Sequence, residues 1–168
     1  MVKRASGVDN GSIRQNGSAA PVPPPELATA PGYLARRLHQ AYLAAWVRNV
    51  DATLTGPQFA VLNAVARYPG EDQGSLASSV ALDRSTMADV VRRLEERGLV
   101  ARESDPRDGR RKLLYLTDEG TTAFHEANHK ARALDELLLG GKSTAEREDV
   151  LAILTELADR WETIAPVS

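Results

Sequence analysis

From Tyr33 onward apolar residues recur at helical spacing, and each recurrence is closed by a breaker or a capping residue. Leu34, Leu38, Ala41 and Ala45, with Val50 beyond them, mark one side of a first helix over about 33–49. Thr55 before Gly56-Pro57 suits an N-cap followed by an early-turn proline. Phe59, Leu62, Val65 and Ala66 form the stripe of a second helix ending at Tyr68-Pro69-Gly70. A short third helix fits 73–80, with Leu76, Ala77 and Val80 inward. Asp83 is a good N-cap for a fourth, whose inward stripe is Met87, Val91 and Leu94 and whose stop is Gly98. Leu99-Val100-Ala101 then reads as a strand, 104–109 as a turn, and 112–116 as a second strand, giving a hairpin with a basic tip. Thr117, three residues before Gly120, opens a long helix that Gly140-Gly141 ends. Ser143 caps a last helix carrying Val150, Leu151, Leu154, Leu157 and Trp161. Residues 1–30 show no such period. They are rich in Gly, Ser, Asn and Pro, and read as a disordered tail.

Composition narrows the class. The 168 residues suffice for one compact domain, 31–168, after the tail. Aromatics are only 5%, so the core must rest on Leu, Val and Ala. Cysteine is absent, which excludes disulfides, thiol catalysis and thiol redox sensing. No apolar run nears the ~20 residues of a membrane span, and no apolar signal core opens the chain, so the expectation is a cytoplasmic protein with no membrane partner. The net charge of −2 hides an asymmetry. Residues 84–112 hold nine Lys/Arg against six Asp/Glu, while 118–168 hold five against eleven. A basic middle and an acidic end suit one surface that meets phosphate and another that does not.

Two short helices followed by a hairpin are the parts of a winged helix-turn-helix, over about 55–117. With Met87, Val91 and Leu94 inward, Ser85, Thr86, Asp89, Val90 and Arg93 fall on the opposite face. Short polar groups and arginines reach base edges and phosphates in a major groove, so Ser85, Thr86, Asp89 and Arg93, with Arg84 and Arg92, make the DNA-binding set on this helix. In the hairpin, Arg107 sits at the turn with Arg110 and Arg111 after it, suited to the negative potential of a narrow minor groove. Asp105 would be repelled by DNA, so its expected task is to hold a wing arginine by a charge-assisted bond.

The run Leu82-Asp83-Arg84-Ser85-Thr86, then Val91-Arg92-Arg93-Leu94-Glu95-Glu96-Arg97-Gly98-Leu99-Val100, then Asp105-Pro106-Arg107-Asp108-Gly109-Arg110-Arg111 and Leu116-Thr117, resembles the MarR (multiple antibiotic resistance regulator) family. The likeness covers about 33–161. It implies a mainly α fold with a small β-hairpin wing (α+β), in which helical dimerisation regions at about 33–50 and 118–164 flank the winged helix-turn-helix. It implies an obligate homodimer of triangular outline, a pseudo-palindromic double-stranded operator, and a ligand pocket between the DNA-binding lobe and the dimer base. The dimer has independent support, because the first and last two helices carry more apolar residues than one small lobe covers.

For the effector, the first helix offers Arg36, His39, Tyr42 and Trp46, and the second Phe59 and Asn63. A guanidinium beside aromatic rings is a sensible receptor for a small aromatic carboxylate. The runs Pro31-Gly32-Tyr33-Leu34-Ala35-Arg36-Arg37-Leu38 and Pro57-Gln58-Phe59-Ala60-Val61-Leu62-Asn63 are similar to the branch of the family that senses phenolic and other aromatic acids. A repressor released by such an acid, needing no cofactor and catalysing nothing, is the expected function. The competing motif is His125-Glu126-Ala127-Asn128-His129, which matches the His-Glu-x-x-His of zinc hydrolases, with Glu146 or Glu148 as a third ligand. It leaves a metal-responsive regulator or a hydrolase as alternatives.

Overall fold

The structure, a computed structural model, describes residues 22–164; the part of the expected tail in 1–21 lies outside them. The described residues divide into two compact units, parted between Arg37 and Leu38. In the first unit one helical turn, α1 (Pro25–Ala28), occupies part of the stretch expected to be tail, and α2 (Pro31–Asn49) begins. There the Arg36 guanidinium lies 5.6 Å from the centre of the Tyr33 ring.

The second unit holds the rest of α2 and then α3 (Gly56–Arg67), α4 (Gln73–Ser79), α5 (Arg84–Glu96), β1 (Val100–Ser104), β2 (Lys112–Leu116), α6 (Asp118–Leu138) and α7 (Thr144–Ile164). The capping residues expected from sequence do their work. Thr55 and Gln58 form a reciprocal capping box on α3. Asp83 caps α5, and Thr117 accepts from the Gly120 amide to open α6; α4 is capped by Asp72, which the sequence reading did not single out. Ser143 and Glu146 exchange bonds at the start of α7. The strands pair antiparallel in a register that runs from Val100↔Leu116 to Ser104↔Lys112. A bridge from Asp72 to Leu113 ties this hairpin to the segment before α4.

Leu62, Val61 and Val65 of α3, Leu76 of α4, Met87, Val91 and Leu94 of α5, and Leu114 of β2 make the core. Two expectations need correcting. Val90 is buried with them, not on the outward face of α5, because the stripe of a packed helix is wide enough to take in i+3 as well as i+4. On α2 the residues packed against the core are Tyr42, Ala45 and Trp46, whereas Leu38, from the expected inward stripe, is 61% exposed. α7 buries no residue at all.

Candidate nucleic-acid interface

α4 and α5 are joined by a turn in which Ala81 takes a left-handed φ of 52° and the Leu82 amide returns to the Ala77 carbonyl at 3.0 Å. Asp83 then opens α5. Its carboxylate accepts from the Thr86 amide at 2.9 Å, the Ser85 hydroxyl at 2.6 Å and the Thr86 hydroxyl at 2.5 Å. These bonds, the Ser85 hydroxyl first, hold the Asp83 carboxyl well below the usual carboxylate range. Ser85 and Thr86 therefore give their protons to the cap, and what they turn outward are acceptor lone pairs.

One turn along, Asp89 sits between two arginines. It accepts from Arg92 at 3.0 Å and Arg93 at 3.5 Å, and Arg92 also reaches Glu96 at 2.7 Å. All of these side chains are more than half exposed. Ser85, Asp89 and Arg93 share one wall of an open groove of ≈ 480 Å³, whose other wall is Thr55, Pro57 and Gln58 at the start of α3. Arg84 is exposed at the start of the helix.

The wing is folded by its own acids. Asp105 accepts from the Arg107 amide at 2.8 Å and Asp108 from the Arg110 amide at 3.0 Å, so both carboxylates fix the turn through backbone amides. Arg107 and Arg110 are exposed, and neither enters an ion pair among the described residues. Arg111 points the other way. It binds the α4 cap Asp72 at 2.7 Å, with Asp105 at 3.7 Å and Glu71 at 3.8 Å. The arginine held by Asp105's charge is thus Arg111, and Arg111 joins the wing to α4 as well as facing solvent. The Arg111 guanidinium, then the Ser75 amide, keep Asp72 far below the usual carboxylate range.

A second concave site lies in the same unit. Tyr42, Gly56, Phe59, Ala60, Asn63 and Arg67 are among the residues around a cavity of ≈ 530 Å³. Three of the expected effector residues, Tyr42, Phe59 and Asn63, meet there, and Arg67 is a cation that spacing along the chain did not single out. Trp46 stands behind the cavity rather than in it. It is 4% exposed, lies 5.2 Å from the Phe59 ring, and donates its indole N–H to the Leu54 carbonyl at 2.6 Å. Burial, then the charge of Asp135, pushes the Tyr42 hydroxyl pKa up, so it remains a donor at neutral pH. His39 is exposed on α2. His125, Glu126 and His129 are exposed on α6, and no group of three metal-ligating side chains forms among the described residues. The zinc pattern is therefore two histidines on a solvated helix face, with neither Glu146 nor Glu148 gathered beside them.

A helix-turn-helix with a basic hairpin beside it is a DNA-binding architecture. Comparison with known proteins gives the same class. A model described as the MarR family matches residues 54–112. The transcriptional regulator HosA of Escherichia coli O111:H- is 36% identical over 122 residues, 73% of this chain and 90% of that protein. The PcaV transcriptional regulator of Streptomyces coelicolor, solved in complex with its natural ligand, is 42% identical with a TM-score of 0.77 over 84% of this chain and 98% of that one. BpsR of Bordetella bronchiseptica, solved for the regulation of its DNA binding by 6-hydroxynicotinic acid, is 30% identical with a TM-score of 0.68 over 76% and 97%. The chain belongs to the MarR family. It is a DNA-binding transcriptional regulator, and the proteins it is similar to are regulators rather than hydrolases. Among the described residues no helix is long and apolar enough to cross a membrane.

Proposed function

We propose that this protein is a homodimeric repressor that leaves a pseudo-palindromic operator when a small aromatic carboxylic acid binds it. The observation that carries the effector class is the cavity beside α3, which three aromatic residues (Tyr42, Phe59 and Tyr68), the Asn63 amide and the Arg67 guanidinium line together. The ring of the acid lies against Tyr42 and Phe59, its polar substituent bonds Asn63 and the Tyr42 hydroxyl, and its carboxylate takes a bidentate pair from arginine. Arg67 lines the cavity. Arg36 is the anchor that the sequence suggests. The 6-hydroxynicotinic acid of BpsR, a hydroxylated aromatic ring with one carboxylate, is of this chemical class.

In this reading α5 enters the major groove, Arg93, Arg92 and Arg84 meet bases and phosphates, and Arg107 and Arg110 enter the flanking minor groove. A ligand acts only through its different affinity for the two arrangements of the dimer. A coupling of ~2 kcal/mol loosens DNA roughly thirtyfold.

Footprinting of the protein on the promoter region nearest its own gene, repeated with a panel of aromatic acids, tests both halves. The expected result is a protected two-fold site that opens with a hydroxylated aromatic acid. Arg67→Ala and Arg36→Ala should each leave operator affinity near normal, and the variant that removes the anchor should lose the response in calorimetry and mobility shift alike. A wild-type footprint that no aromatic acid alters would refute the effector class.

A further inference from the structure

Asp89 is an odd residue to find on a helix that faces polyanionic DNA. Its carboxylate is 57% exposed, on the stripe that runs Ser85, Asp89, Arg93 at intervals of one helical turn. Phosphates repel it, so an acid here weakens non-specific binding and needs a particular partner to offset that cost. The major-groove group that suits a carboxylate is the amino group of cytosine, N4, a pure donor.

The surroundings of Asp89 sharpen this. Its Oδ2 lies 3.5 Å from Arg93 and its Oδ1 3.0 Å from Arg92, which fixes the carboxylate and orients both guanidinium groups. Each carboxylate oxygen has two lone-pair sites, so room remains for another donor, and Arg93 keeps most of its five N–H groups. Side by side, then, Asp89 and Arg93 present an acceptor followed by two donors. Across the major groove a C·G pair presents the complement: the N4 donor of cytosine, then the O6 and N7 acceptors of guanine. Reversed G·C inverts the order. At T·A and A·T the carboxylate meets a methyl group or the N7 acceptor of adenine. We infer that Asp89 and Arg93 act as one unit that reads a single C·G pair in each half-site, Asp89 on the cytosine N4 and Arg93 on the guanine O6 and N7. Asp89 is a specificity-determining residue as much by what it rejects as by what it binds. The inference rests on the reading that α5 enters the major groove.

The test selects full-length wild-type protein, Asp89→Asn, Asp89→Ala and Arg93→Ala from one library of random duplexes at one salt concentration. Asp89 is exposed, so its variants keep the core intact. The wild type should select C·G at one fixed position of each half-site, preferred over the other pairs by about tenfold to a hundredfold. Asp89→Ala should erase the preference there and leave the other positions unchanged. Asp89→Asn should move it to adenine, whose N6 and N7 suit an amide. Arg93→Ala should weaken preference at that same position. Either of two results overturns the inference: Asp89→Ala selecting the wild-type motif at unchanged strength, or binding every sequence more tightly by one common factor. A wild type that selects no motif at all would instead refute α5 as the reading helix, and this pair with it.

Discussion

At Asp72 one carboxylate serves two elements, accepting from the Gly74 and Ser75 amides as the cap of α4 and receiving Arg111 from the wing. Its pKa is depressed in the fold, the Arg111 bond being the largest cause. Stability from a depressed carboxyl is fully present above the unfolded value, about 4, and is lost as the pH falls through the folded value. Asp72→Asn keeps an acceptor for the cap but loses the charge. It should melt below wild type at pH 7, and the difference should shrink as the pH drops below about 4. A gap of the same size throughout would show that the charge contributes nothing. Asp72→Ala should cost a further ~1 kcal/mol for the cap. Arg107 has no such structural task. Arg107→Ala should leave the melting temperature unchanged and weaken operator binding by about 1–3 kcal/mol, read by fluorescence anisotropy at physiological salt.

Between elements, the described glycine with the least room for a side chain is Gly120, where α6 begins. Gly120 packs against the turn after α5, and a methyl group there would overlap the Leu99 carbonyl oxygen, backbone that cannot swing aside. Gly120→Ala should therefore destabilise the unit by about 1–3 kcal/mol or more in urea unfolding. The same variant at Gly109, whose added methyl meets nothing within 4 Å, is the control. Element boundaries were legible in the chain because caps are local: Thr55, Asp83, Thr117 and Ser143 act on amides two or three residues away. The site was legible only in part. Val90 and Met87 differ by three positions, and helical spacing alone does not say how wide a stripe the core will cover. Trp46 has an apolar body and a polar tip, equally suited to a ligand wall and to a core, and its partner at Leu54 lies across a turn. Arg111 and Asp72 are 39 residues apart, so no spacing rule brings them together. Arg67, on the α3 face that carries Asn63, could have been found from the i, i+4 relation once Asn63 was chosen.

For the whole molecule, the decisive feature is apolar surface left in water. Leu137 of α6 is 68% exposed, and Leu151, Ile153, Leu154 and Ile164 of α7 are each 46–74% exposed. A helix with that many bare aliphatic groups calls for a partner, and a two-fold mate buries it at no cost in new sequence. The protein should sediment as a dimer at micromolar concentration and protect half-sites centred about 10 base pairs apart, one turn of the duplex. A monomer under those conditions would sink the proposed assembly. Leu154→Glu should dissociate the dimer and abolish operator binding while the helix content of each chain, by circular dichroism, stays close to wild type.

The six residues between α2 and α3 are fastened from both sides. The Trp46 indole holds the Leu54 carbonyl, Asp51 holds the Thr53 and Leu54 amides, and Arg97, at the far end of α5, donates to the Thr53 carbonyl at 2.9 Å and reaches its hydroxyl at 3.4 Å. Bonds of this kind should make a connection that looks like a loop open as rarely as part of a helix. The Thr53 and Leu54 amides, both bonded to Asp51, should exchange with heavy water slowly, Leu54 as slowly as the middle of α3, instead of at the rapid rate of an open connection. Arg97→Ala should quicken exchange at Thr53 and Leu54 while leaving α3 and α4 as they were. If the rates at both residues are already fast in the wild type, these bonds are open for an appreciable fraction of the time, and the connection is not fastened.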